Sequence, residues 1–152
     1  MITLEQNSGI NCMAGIHKFE FINIDSVKSI LPTADSIRIT LTNKPEKYSL
    51  KTKFMTVESK QIRNRMYQHY IEITFHGKNK NYNVAFDKLS NKRYIGIIYY
   101  NNDTTYVVGT MEEPLRFSFD DISDGKADGN TAYILRFECT ATEPQIKLNQ
   151  II

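Results

Sequence analysis

The chain has 152 residues, a formal net charge of +2, no Trp and only two Cys. This length fits one domain, which can bury roughly two thirds of the surface of its unfolded chain. The small charge argues against a general nucleic-acid binder, and no apolar stretch approaches the roughly 20 residues of a membrane span. The N-terminus lacks a basic segment followed by an apolar run, so we expect an intracellular protein without a signal peptide.

The first third of the chain predicts strands separated by turns. Residues 1–14 are polar and aperiodic, which predicts an N-terminal arm. Residues 15–24 are apolar on both faces of a strand, which is typical of a central or covered strand. After a connection over 25–35, the alternating residues 36–41 and 48–54 predict a hairpin with a loop of about five residues.

The middle of the chain contains a basic segment and the one helix candidate. Residues 55–65 are polar and basic, and predict the tip of a long hairpin or a loop. Residues 66–76 alternate again, which places Tyr67, His69, Ile71, Ile73 and Phe75 on one face of a strand. Residues 82–93 predict a helix that Asn83 caps, with an apolar stripe formed by Val84, Phe86 and Leu89.

Four strand-like runs fill residues 95–140. Asn101-Asn102-Asp103 predicts a tight hairpin turn, and Pro114 limits the next strand to an edge or to a start there. The last residues, 141–152, contain Pro144 and predict an irregular tail. Solvent-facing isoleucines at such a terminus are unfavourable unless another copy covers them.

These elements predict a mainly β fold. We expect an antiparallel β-sandwich or partly closed barrel with one short flanking α-helix at about residues 82–93. The expected organisation is an arm over 1–14, a single sandwich domain over 15–140 that carries the basic hairpin or loop at 55–65, and a tail over 141–152.

The residue types that carry chemistry are sparse in this sequence. His69 lies on an apolar face, which favours a hydrogen-bonded core or interface histidine over a metal ligand. Cys139 alternates with Phe137 and is expected to be a small core residue. Metal-ligand spacings and phosphate-binding glycine loops do not occur, and Asp120 to Asp128 do not follow the ligand pattern of a calcium loop. The sequence therefore predicts no metal, no cofactor and no enzymatic activity.

Charge is divided between two stretches. Residues 44–65 contain seven Lys or Arg and two Glu, whereas residues 112–128 contain six acids and two basic residues. Opposite patches steer association and fix its register, so head-to-tail contact between copies is one interpretation, and solvated loops are the other. The candidate interface pairs basic residues of one copy with acidic residues of another: Lys51, Lys53, Lys60, Arg63 and Arg65 with Asp120, Asp121, Asp124 and Asp128. Binding of nucleic acid by base stacking is disfavoured, because Tyr48 and Phe54 have the parity of the core face.

Several motifs follow one another in an order that resembles a known family. They are the opening Cys12–Ile16, the strand end Ile22–Val27, Tyr106–Gly109, Leu115–Phe119, the loop Gly125–Asn130 and Tyr133–Phe137. In this order they resemble tail-tube-like structural proteins of tailed bacteriophages and prophages of gut Bacteroidetes. The resemblance covers most of the chain.

The resemblance implies a β-sandwich flanked by one helix, in subunits that assemble as six-membered rings. The rings would stack into a tube, which acts as a passive conduit for DNA. The implied partners are copies of the chain and other tail proteins of the virion, with no membrane. The implied location is the virion tail, after synthesis in the host cytoplasm.

Other functions remain open at this stage. One is another virion protein of the same fold, such as a tail hub, terminator or head–tail connector. Another is a monomeric ligand-binding β-sandwich module with aromatics beside a groove. A third is an enzyme, which would need a concave pocket with perturbed titratable groups.

Overall fold

The computed structural model describes residues 2–5, 15–51, 55–63, 65–76, 80–123 and 131–152. These residues form twelve strands, one α-helix and one short 3-10 turn, which confirms the predicted mainly β fold. The elements in chain order are β1 (Ile2–Glu5), β2 (Ile16–Asn23), the 3-10 turn (Ile24–Ser26), β3 (Val27–Pro32), β4 (Ser36–Leu41), β5 (Lys47–Lys51), β6 (Met55–Arg63), β7 (Met66–His76), α1 (Lys80–Ser90), β8 (Arg93–Tyr100), β9 (Thr105–Val108), β10 (Leu115–Ser123), β11 (Thr131–Ala141) and β12 (Ile146–Ile151).

Strand β8 is the point at which the sheet branches. It pairs with β2 along one edge, and with β9 and then β10 along the other. The path through β9 continues to β12, β4 and β3, and the path through β10 continues to β11, β7 and β6. On the far side, β2 leads to β5 and β1. The sheet folds onto itself as a sandwich and does not close into a barrel.

The main core lies between the β5–β2–β8 part of the sheet and the β10–β11–β7–β6 part. Phe21 stacks on Tyr48 at a centroid distance of 4.9 Å and contacts Phe137 of the facing strand at 4.7 Å. Tyr94 lies edge-on to Phe21 at 5.2 Å. Aromatic pairs of this kind contribute about 0.5–1.5 kcal/mol each beyond their buried area.

A second core covers the opposite faces of β2 and β8. Ile22, Ile95 and Ile97 point there and pack with Ile37 and Ile39 of β4, and all five are buried. The two central strands are therefore covered on both sides. The prediction of a covered strand at residues 15–24 is confirmed.

Helix α1 covers one end of the main core. Phe86 contacts Tyr133 at 5.1 Å and Phe119 at 5.5 Å, and Leu89 is also buried. The sequence placed the helix at 82–93 with Asn83 as its cap, but it runs from Lys80 to Ser90 and Asn83 lies inside it. Val84 is 56 % exposed, so its predicted place in the apolar stripe is wrong.

The predicted hairpin of residues 36–41 and 48–54 is wrong. Strand β4 pairs with β3 and β12, whereas β5 pairs with β2 and β1. Alternation identifies a strand but does not specify its neighbour, and here the chain passes from one core to the other. Residues 25–35, predicted as a connection, contain the 3-10 turn and β3.

The predicted hairpin at 55–65 exists, although its residues do not form a loop. Strand β6 pairs with β7 along nearly its whole length, and Arg65 lies in the turn between them. The Asn101–Asp103 hairpin turn is also present, with Asp103 at φ 63°, and Pro114 directly precedes β10.

Both predicted terminal segments contain strands. Within the arm predicted for 1–14, residues 2–5 pair with β5 in parallel, and residues 6–14 lie outside the described ranges. The tail 141–152 is not irregular, because β12 pairs with β4 and β9. A register shift between Leu148 and Gln150 interrupts its alternation, which explains why the pattern does not read as a strand. Ile151 packs against the second core.

Candidate functional site

The structure places the predicted basic residues around the β6–β7 hairpin. Lys60 and Arg63 are exposed on β6, Arg65 is exposed in the turn, and Lys51 is exposed at the end of β5. Lys53 lies outside the described residues. Three of the five basic residues are thus brought together, and they share one end of one hairpin.

Only two of the four predicted acidic residues lie within the described residues, and one of them is already in an ion pair. Asp124 and Asp128 lie outside the described residues, and Asp120 and Asp121 are exposed on β10. Asp120 forms an ion pair with Arg136 of the same chain, at 2.5 Å between Oδ2 and Nη1. Arg136 also donates to the Tyr70 hydroxyl at 3.1 Å. Asp120 therefore already has a cationic partner across the sheet.

Strand β6 forms an edge of the sheet, since β7 is its one neighbour among the described residues. Met55 is buried and Val57 packs against the main core, but the six residues from Glu58 to Arg63 are all exposed. The strand thus begins in the core and ends in solvent. An edge of this kind presents unpaired backbone N–H and C=O groups that another strand can use.

The end of this hairpin combines positive charge with an apolar side chain. We call Lys60, Ile62, Arg63 and Arg65 the hairpin tip. Ile62 is 45 % exposed, and none of the three cations forms an ion pair among the described residues. Arg65 adopts φ 70°, a left-handed conformation that costs a non-glycine residue about 1–2 kcal/mol.

A groove of about 520 Å³ lies between the β3–β4 edge and the loops that follow β9 and β11. Its apolar lining comes from Ile30, Pro32, Ile37, Val107, Met111, Pro144 and Ile146, and its acidic lining from Glu112, Glu113 and Glu143. We call this the acidic groove. Met111 is 38 % exposed, so the apolar lining reaches solvent.

A chain of side-chain hydrogen bonds holds one wall of the acidic groove. The carbonyl of Glu143 can only accept, so His69 donates to it through Nε2 at 2.8 Å, and the imidazole Nδ1 accepts from the Ser59 hydroxyl at 2.8 Å. Gln145 donates to Ser59 at 2.7 Å and accepts from Tyr100 at 3.0 Å. His69 is buried and hydrogen-bonded, as predicted. The chain ties the segment after β11 to β6 and β8.

Glu113 braces the same segment from the other side. Its carboxylate accepts from the backbone N–H of Thr142 at 2.8 Å. No sequence signal links Glu113, Glu143 and Gln145 to Ser59 and His69, since they come from distant segments. Sequence reasoning therefore missed the acidic groove, although Glu112 and Glu113 belong to the acidic stretch it recognised.

A second cleft, of about 550 Å³, contains charges of both signs. It is lined by Gln68, Arg93, Glu112, Glu113, Pro114, Arg116, Glu138, Cys139 and Thr140. Arg116 lies between Arg93 and Glu138 in the strand register, and forms no ion pair among the described residues. Burial, together with the charge of Glu113, raises the pKa of the Cys139 thiol to about 12, so this residue is not a reactive thiolate at neutral pH.

Two carboxylates with perturbed pKa values have structural partners. Burial raises the pKa of Glu20, but its bonds with Lys47, Tyr99 and Lys18 outweigh burial and lower it. Burial likewise opposes ionisation of Glu46, yet hydrogen bonds from Lys92, Tyr48 and Asn23 lower its pKa to about 2. Glu20 links β2 to Lys47 of β5 and Tyr99 of β8, Glu46 links the residues before β5 and β8, and neither carboxylate lines one of the two clefts.

The described residues contain no group of three or more His, Cys, Asp or Glu arranged to hold a metal ion. Among them, no helix has both the length and the apolar character that a membrane span requires. No protein-family model, curated protein or solved structure matches the chain.

Proposed function

We propose that this protein is a structural subunit of a virion tail, of the tail-tube kind. Copies of the chain associate in rings, and the rings stack into a conduit for DNA. Its partners are copies of itself and other tail proteins, and its location is the virion after synthesis in the host cytoplasm. The observation that carries the proposal is strand β6, which leaves the core and runs along a free edge of the sheet.

The physical argument is hydrogen-bond completion. Each backbone hydrogen bond contributes about 0.5–1.5 kcal/mol net, so a neighbouring strand along β6 would gain several such bonds at once. Charged side chains on β6 disfavour uncontrolled pairing, since lysines and other charges on edge strands suppress aggregation. A specific partner strand with complementary charge is therefore favoured over non-specific aggregation.

The first test is the size of the purified protein. We expect light scattering to give multiples of the 17.6 kDa chain and negative-stain microscopy to show rings or tubes. A compact monomer at high concentration would contradict the proposal.

A pair of proline variants tests the role of β6. N–H groups an odd number of residues apart point to opposite edges of a strand, so of Glu58→Pro and Gln61→Pro, both at exposed positions, one removes a bond to β7 and the other blocks the edge opposite β7. We expect the variant that keeps the wild-type urea midpoint to lose assembly. If this fold-neutral variant assembles like the wild type, the β6 edge is not the assembly surface.

A ligand-binding module is the second candidate, because Arg93 and Arg116 line a cleft and form no ion pair within the described part of the chain. This function predicts a monomer. Binding of small organic anions that is lost in Arg116→Gln, measured by calorimetry, would favour it.

A further inference from the structure

The hairpin tip and the acidic groove have opposite charges. The tip contributes three cations, Lys60, Arg63 and Arg65, and the groove contributes three carboxylates, Glu112, Glu113 and Glu143. The side chains of Glu112 and Glu143 form no ion pair among the described residues. Neither surface is therefore neutralised within this part of its own chain.

Their apolar parts also match. Ile62 stands 45 % exposed between the cations of the tip, and the groove exposes Met111 above Ile30, Pro32 and other apolar side chains. An isolated exposed isoleucine is common, but an isoleucine with three cations within three residues of it suits an apolar groove that also carries carboxylates. The groove volume of about 520 Å³ is ample for one side chain of this size.

The groove is held in shape before any partner arrives. Its wall at Glu143 is fixed by the bond from His69, and Glu113 fixes Thr142. A preformed surface loses little conformational freedom on binding, so more of the contact energy appears as affinity.

The backbone of Arg65 adopts a left-handed conformation, with φ 70°. Glycine would adopt φ 70° without strain, whereas arginine there costs about 1–2 kcal/mol. Residues in sparsely populated backbone conformations cluster at functional sites. Here the strained residue supplies one of the three cations.

We propose that the hairpin tip of one copy seats in the acidic groove of a neighbouring copy. Ile62 contacts the apolar lining, and Lys60, Arg63 and Arg65 face Glu112, Glu113 and Glu143. This inference rests on the proposed self-assembly and names its partner surface. It replaces the pairing with Asp120 that the sequence suggested, because Asp120 is already paired with Arg136.

The test is a charge-swap experiment at 0.15 M salt, an ionic strength at which exposed charges still act within about 8 Å. The tip variant is Arg63→Glu with Arg65→Glu, and the groove variant is Glu112→Lys with Glu143→Lys. Glu113 stays unchanged because it braces Thr142. A fifth protein, Lys44→Glu with Lys88→Glu, reverses two exposed charges outside both surfaces, alongside the wild type and the combined variant.

We expect the tip and groove variants each to weaken association at least about tenfold by sedimentation, since like charges then face each other. The combined variant should recover most of the wild-type association, and the Lys44 and Lys88 control should match the wild type. Equal urea midpoints establish that lost association is not lost folding. Tip-dependent dimers without rings would support this contact and contradict the tube.

Two outcomes would overturn the contact while the proposed function stands. The first is a wild type that assembles although the combined variant does not recover. The second is that the tip variant regains association when it is combined with Asp121→Lys on β10, and not when it is combined with the groove substitutions. A wild type that stays monomeric would instead overturn the proposed function and the contact together.

Discussion

His69 and Glu143 lie far apart in the chain and are joined by a 2.8 Å hydrogen bond from the imidazole Nε2 to the backbone carbonyl. The bond ties the segment that follows β11 to the middle of β7. Because Glu143 lines the acidic groove, a buried histidine thereby holds the backbone of a residue at this surface. The imidazole acts as a brace between the two.

Removal of this brace should lower stability. We expect His69→Ala to reduce the free energy of unfolding by about 1–3 kcal/mol, since it leaves Ser59 without its acceptor and the Glu143 carbonyl without its donor. Urea denaturation measures the loss. Gln68→Ala, an exposed neighbour on the opposite face of β7, should change stability by less than about 0.5 kcal/mol. Equal midpoints for the two variants would show that the bond contributes nothing.

Gly96 lies directly against two side chains of the main core. A Cβ atom at this position would lie 2.8 Å from Leu115 Cδ1 and 2.9 Å from Phe19 Cε2. Both neighbours are fully buried and have little room to move. We therefore expect Gly96→Ala to destabilise the protein by about 1–3 kcal/mol, as overpacking does in other cores.

Thermal or urea unfolding checks the Gly96 prediction. Ser118→Gly, on the outward face of β10, provides a substitution at an exposed strand position and should cost about 1 kcal/mol or less. A Gly96→Ala variant with wild-type stability would mean that the side chains of Leu115 and Phe19 can shift to admit a methyl group.

The strands were predictable where the pattern was local. The two-faced apolar run of β2, the alternation of β7 and the Asn101–Asp103 turn each depend on neighbouring residues alone. The choice of partner strand was not predictable, because β4 and β5 have similar alternation yet belong to different cores. The register shift in β12 limited its alternation to four residues, Ile146 to Asn149.

In the candidate site, too, the sequence predicted what is local and did not predict which distant segments meet. The sequence identified the basic residues at 60, 63 and 65, which are close together in the chain. The groove requires β3, the loop after β9 and the segment after β11 to meet, and nothing in any one of them signals the others. The sequence therefore predicted an acidic partner in the dense run of Asp over residues 120–128, of which Asp120 and Asp121 lie on β10.

Acid should weaken the fold through Glu46. Hydrogen bonds from Lys92, Tyr48 and Asn23, against the effect of burial, lower its pKa from an ordinary 4.5 to about 2. The ionised form thus stabilises the fold above pH 4.5, and this contribution is lost as the pH falls from about 4.5 toward 2. The carboxylate is partly exposed, so solvent screening reduces the size of the effect.

The measurement is the free energy of unfolding of Glu46→Gln and the wild type at several pH values. We expect the difference between them to be largest at neutral pH and to shrink below pH 4.5. Glu58→Gln, on the exposed part of β6, removes a carboxylate elsewhere and serves as the control. A Glu46→Gln profile parallel to the wild type over this range would rule out Glu46 as a source of the acid sensitivity.

Arg65 allows the fold and the assembly to be separated by a single substitution. Glycine adopts φ 70° without a Cβ clash, although it also adds freedom to the unfolded chain, so we expect Arg65→Gly to change stability by no more than about 1 kcal/mol in either direction. The same substitution removes one cation from the hairpin tip and should weaken association severalfold. Arg65→Lys keeps the charge and a similar backbone cost, so it should keep the association. If Arg65→Gly folds and assembles like the wild type while Arg63→Gln does not, association depends on the charge of Arg63 and not on that of Arg65.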